Sequence, residues 1–232
     1  MKKLILLFLF ICLFSNDAMS CISCNRAIQK GIYNSMFYPN LLTMLSAFIV
    51  LAAIIAILSR LATRRHNRLL EVNTGKTVLA QAPLTSAATV LGIGIGGFID
   101  GIVLHQILQF HEMLTNKIPA DTLVNKSINM FWDGIFHLFT LITTVIGVYL
   151  LWKILKKINI NHSGYLLTGG LLFGWGLFNL VEGIIDHQIL KLHNVNEYAM
   201  NPELWNYGFL MFGLLLLLIG RMFIRKGEKA AE

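Results

Sequence analysis

Apolar residues in this chain fall in long uninterrupted blocks. The first, Leu4–Phe14, follows Lys2 and Lys3 and exits on Ala18-Met19-Ser20, the three parts of a secretory signal. Five further blocks lie at about 41–59, 84–108, 130–152, 164–190 and 207–223. Each has the length of about twenty residues that a ~30 Å hydrocarbon core requires of a helix. An open sheet cannot satisfy its backbone in lipid, so the blocks predict an all-α polytopic membrane protein with five mature transmembrane helices. Pro83 opens the second of these helices, and Pro119 marks the loop before the third.

Composition narrows the class. Of 232 residues 56% are hydrophobic and 13% charged, with mean hydropathy +0.65. Soluble domains are about a quarter charged. These values exclude a disordered chain, a disulfide-rich miniprotein and an ordinary cytosolic enzyme. The net charge of +7 does not call for nucleic acid. Fourteen of the nineteen basic residues cluster at 2–3, 60–76, 153–157 and 221–229, all on one side if the spans alternate. Arg26, Lys30, Lys117, Lys126 and Lys191 fall on the other. This positive-inside pattern puts the C-terminus in the cytoplasm and the mature N-terminus outside.

Cleavage after Ser20 leaves Cys21-Ile-Ser-Cys24 at the exterior, read as a disulfide, a redox pair or a copper(I) site. A lipoprotein signal or an uncleaved anchor are competing readings of the same segment. The expected organisation is a signal peptide (1–20), an external segment with the first span and a basic loop (21–83), and a four-helix membrane domain (84–232). Two hairpins, 84–153 and 164–223, divide that domain.

The hairpins resemble one another. Residues 92–111 align with 174–193 at an offset of 82, with nine identities in twenty positions. Gly92, Gly94, Gly101, His105, Gln106 and His111 meet Gly174, Gly176, Gly183, His187, Gln188 and His193. Asp100 faces Glu182, keeping the acid. The pattern predicts a parallel duplication. The partner helices match poorly: aligning Gly134 with Gly208 sets Asp133 and His137 against Tyr207 and Met211. Gly92-x-x-x-Gly96, Gly97-x-x-x-Gly101 and Gly170-x-x-x-Gly174 read as small faces for close helix contact. A dinucleotide reading of the same glycines fails for want of a preceding strand, and His111-Glu112 lacks the second histidine of a zinc-protease motif.

Counting along each helix at ~1.5 Å per residue places Asp100 and Glu182 past the midplane. His105, Asp186 and His187 lie further out, His111 and His193 at the outer interface, and Asp133 and His137 in the same outer half. Ionisable groups at this depth are costly and mark function. On an α-helix Asp100 and His111, eleven apart, share a face, as do Glu182 and His193. His105 and His187 point a third of a turn or more from their acids, so a site is expected to need at least two helices.

The segments 97–111, 132–137 (Trp-Asp-Gly-Ile-Phe-His) and 179–193 resemble the bacterial predicted membrane proteins grouped as domain of unknown function 2243, over about residues 84–223. That resemblance implies the fold and a bacterial source, but no activity; the expected location is the bacterial inner membrane. Imidazole with carboxylate suits zinc, iron or copper(II), and His105 with His187 at equal depth suits haem. The leading reading is therefore a metal- or haem-binding membrane protein. Its ligands would come from His105, His111, His137, His187 and His193, with Asp100, Asp133, Glu182 and Asp186 as supporting carboxylates. The expected partners are the bilayer and other membrane or respiratory proteins, with no nucleic acid. A proton- or ion-coupled carrier and an intramembrane metal-dependent hydrolase are the alternatives, with a scaffold role as the remaining one.

Overall fold

A computed structural model describes residues 22–72 and 79–229. The expected signal segment and the side chains of Cys21 and Cys24 lie outside what is described. A short helix α1 (Ile22–Ile32) precedes five long apolar ones. These are α2 (Phe37–Val72), α3 (Ala82–Ile99), α4 (Leu123–Leu155), α5 (Gly164–Glu182) and α6 (Pro202–Lys229). α3 and α5 continue without a break into π-helical turns, Asp100–Ile107 and Gly183–Ile189. The chain is a polytopic helical membrane protein.

Most helices outrun the apolar block that announced them, because hydropathy marks the lipid boundary and not the end of the hydrogen-bond ladder. α2 continues past Arg60 because no Gly or Pro interrupts residues 40–72. Polar caps set two other starts. The Thr122 side chain accepts from the Asn125 amide at 3.1 Å before α4, and that of Ser163 accepts from Tyr165 at 3.2 Å before α5. Pro83 sits in the first turn of α3, where its missing N–H leaves no bond unmade.

α3 and α5 form the centre of the bundle. α4 packs on the far side of α3, and α6 on the far side of α5. Burial follows: 61% and 50% of the apolar windows of α3 and α5 are buried, against about a fifth for the others. The outer faces, such as Leu138, Leu141 and Val145 on α4 and Met211, Leu215 and Leu218 on α6, are apolar and exposed, as lipid contact demands.

Glycine sets the spacing at the centre. A Cβ on Gly92 would strike the Leu171 carbonyl, and one on Gly174 would strike the Thr89 carbonyl. Both members of this reciprocal pair are related by 82. The outer helices follow a second rule. Gly147 packs on Leu91 as Gly220 packs on Phe173, and Gly94 meets Thr144 as Gly176 meets Leu217. α4 and α6 therefore correspond at an offset of 73, so Asp133 matches Asn206 and not Tyr207, as the Gly134–Gly208 alignment expects. Packing contacts, which depend on backbone approach, fix the register that divergent side chains obscure.

α2 lies across α3 and α5. Its Met44, Ala47 and Leu51 join Ile93, Phe178, Trp132 and Phe136 in the main core. α1 packs on α4, with Gly31 against Ile128.

Candidate metal centre

The ionisable residues gather at one end of the bundle, where the loops 108–122 and 190–201 close it. Asp100, His105, Asp133, Glu182, Asp186, His187, His111 and His193 are all buried there, none more than 3% exposed.

Single helices do bring acid and histidine together, contrary to the α-helical expectation. The π-helical turns widen the repeat toward five residues per hydrogen-bonded ring, so that positions five apart come into line. His105 Nε2 lies 3.2 Å from Asp100 Oδ2, and His187 Nε2 lies 2.9 Å from Glu182 Oε1. His111 and His193, by contrast, are not on helix faces. The helices end before them, and Gln109 (φ 50°) and Lys191 (φ 48°), 82 apart, take left-handed backbone to turn each loop back. Such a conformation is uncommon for residues other than glycine.

The returned histidines cross between hairpins. His111 Nδ1 donates to the Val195 carbonyl at 2.9 Å, and His193 Nδ1 donates to the Met113 carbonyl at 3.0 Å. The rings stack with centroids 4.4 Å apart and planes within 5°. A carbonyl only accepts, so both imidazoles carry the proton on Nδ1 and turn a bare Nε2 inward. Burial, reinforced by the imidazoles of His105, His193 and His187, holds His111 well below the ordinary imidazole value. Burial lowers His193 too, partly offset by the Glu182 carboxylate beside it.

The halves differ around the helical histidines. His105 has a carboxylate at each ring nitrogen: Asp133 Oδ1 at 3.0 Å from Nδ1, and Asp100 Oδ2 at Nε2. Asp133 Oδ1 also accepts from the Met113 amide at 2.9 Å, and Asn206 Oδ1 takes the matching Val195 amide at 2.9 Å. An amide there keeps the loop contact, and His187 Nδ1 is left unpaired. His187 Nε2 is also without a hydrogen bond, although Glu182 Oε1 stands only 2.9 Å away. The approach lacks hydrogen-bond direction.

Two sets of three donor atoms converge within 4.8 Å of one another: His105, His111 and His193, and Glu182, His187 and His193. In the second set Glu182 Oε1 lies 2.9 Å from His187 Nε2 and 3.3 Å from His193 Nε2. Ligand bonds of about 2.0–2.2 Å give edges of roughly 2.8–3.6 Å around one ion, a range that both of these distances meet. The sets share His193, whose Nδ1 is already engaged, so its Nε2 can serve only one of them at a time.

His137 stays outside both sets. Its Nδ1 bonds the Asp133 carbonyl at 2.7 Å, and its Nε2 rests against Gly101. Asp186 lies beside the cluster with Oδ1 unpaired. Asn129, which takes the Leu114 amide at 3.0 Å, and Asn206 are structural members that residue type alone does not single out.

The chain belongs to the predicted membrane protein family DUF2243, whose model matches residues 87–227. No curated protein and no solved structure matches it. α1 and α2 precede the matched region.

Proposed function

We propose that this protein binds one transition-metal ion at the outer side of a bacterial cell membrane, through Glu182, His187 and His193. The observation that carries the reading is the pair Glu182–His187. Glu182 Oε1 and His187 Nε2, both buried, approach to 2.9 Å without hydrogen-bond geometry, and Glu182 Oε2 and both nitrogens of His187 are unpaired. Buried polar atoms are almost always satisfied, and a cation between Glu182 Oε1 and His187 Nε2 would give that nitrogen a partner.

Imidazole and carboxylate donors suit zinc, iron or copper(II). The Met113 carbonyl orients His193 from behind, as backbone carbonyls do for metal-bound imidazoles. Haem fits less well. The stacked His111 and His193 occupy the space between His105 and His187, and leave no slot for a porphyrin. The outer placement rests on the basic clusters at 60–76, 153–157 and 221–229, which orient those segments to the cytoplasm. The matching offsets of 82 and 73 support an origin by duplication, in which the second hairpin has kept the metal ligands and the first has turned His105 over to carboxylates.

Cobalt(II) tests the ligand set. Titrated into metal-stripped protein, it is expected to produce visible d–d bands that saturate at one ion per chain and vanish in Glu182→Ala. Bands that persist in that variant contradict the assignment.

A further inference from the structure

The side of the bundle where Asp100 faces the second hairpin has an opening that the matching side, around Glu182, lacks. α3, α5 and α6 enclose a groove of about 460 Å3, walled by Trp175, Trp205, Phe209 and Phe212, with Asp100 and Asn179 among its lining. In the other half the matching walls are Ile93, Trp132, Phe136 and Phe139. There α2 closes the space: Phe48 lies 5.7 Å from Phe136 and 5.5 Å from Phe139, with Met44 and Leu51 buried beside it.

Two glycines deepen the open groove. Gly96 and Gly208 stand where the closed half has Phe178 and Ile135, and a Cβ on Gly208 would meet nothing within 4 Å. Asp100 Oδ1 and Asn179 Oδ1, on residues 2% exposed, have no hydrogen-bond partner. The other oxygen of Asp100 faces His105. The rim residues Leu204, Trp205 and Phe212 are exposed on the lipid-facing side.

Each feature restricts the occupant. Entry from the bilayer requires a lipid-soluble molecule. Aromatic walls favour a flat ring, and the volume falls in the ~300–1,000 Å3 range of small-molecule pockets. Unpaired buried acceptors demand a donor, most simply a hydroxyl. An apolar helix like α2 leaves both acceptors unsatisfied and the glycine floor unfilled. We infer that the groove binds the head of a lipid-soluble hydroquinone, with its ring between the aromatic walls and a hydroxyl donating to Asp100.

The test uses the purified full-length chain in detergent, titrated with decylbenzoquinol kept reduced, while tryptophan emission is followed. Trp175 and Trp205 line the groove, so saturable quenching is expected. Gly208→Phe fills the open space and should weaken binding at least tenfold with metal content unchanged. The oxidised decylbenzoquinone lacks the donor and should compete at least tenfold less well than the quinol. His187→Ala, which removes a metal ligand, should leave quinol binding intact, so this inference stands or falls apart from the metal centre. Absent or non-saturable quenching, as for a groove reserved for a partner helix, overturns it. Equal binding by Gly208→Phe, or by quinol and quinone, does so as well.

Discussion

His111 and His193 stack face to face, and each bonds the loop that carries the other: His111 to Val195, His193 to Met113. The two hairpins are latched at this point by paired histidines 82 residues apart. The latch fixes the tautomer, and with it the inward direction of both Nε2 atoms. A metal ion held by His193 would therefore be positioned by the loop of the opposite hairpin.

Acid should open the latch in metal-stripped protein. Both imidazoles are held below the ordinary value of 6.5 in the fold, chiefly by burial. The unfolded chain then binds protons more readily, so stability is fully present above about pH 6.5. It is lost as the pH falls from there toward the lowered folded values, at up to ~1.4 kcal/mol per pH unit per group. His111→Gln should show a shallower fall in melting temperature between pH 7 and 5 than the parent protein. Identical slopes contradict the assignment.

The central glycines should tolerate no side chain. Gly92→Ala and Gly174→Ala each press a methyl group into a backbone carbonyl of the facing helix, and are expected to lose about 1–3 kcal/mol of stability. Gly134→Ala and Gly208→Ala meet open space, and should be neutral or gain up to ~1 kcal/mol from helix propensity. Thermal unfolding in detergent separates the two pairs.

Much of this was legible in the chain. Apolar blocks announced five spans, and shared histidines announced the relation between 92–111 and 174–193. The α-helical count failed where it assumed one helical period. It separated Asp100 from His105, which a π-turn brings to 3.2 Å, and it placed His111 on a helix that ends at Ile107. Nothing in residue type marks a π-turn, or a left-handed Gln109. The role of Asn206 was hidden for a different reason. Its match with Asp133 rests on a shared backbone contact, and the alignment that offered itself, Gly134 with Gly208, was one residue out. His137 is the converse: depth made it a ligand candidate, but the Asp133 carbonyl engages its Nδ1 and Gly101 meets its Nε2.

Asp133 holds both a loop and a histidine, and two substitutions divide these tasks. Asp133→Asn imitates Asn206, keeps the acceptor for the Met113 amide, and should cost about 1 kcal/mol or less. Asp133→Ala strands the Met113 amide and one nitrogen of His105, and should cost about 2–4 kcal/mol. Equal losses in the two variants would show that the loop contact contributes nothing.

Elemental analysis of the purified protein bears most directly on the metal centre. The parent protein should carry about one zinc, iron or copper ion per chain. His187→Ala should carry almost none, and His137→Ala, which alters a histidine of similar depth outside the converging donors, should match the parent. Metal-free parent protein that takes up no ion on reconstitution, or equal metal in His187→Ala and the parent, contradicts the account.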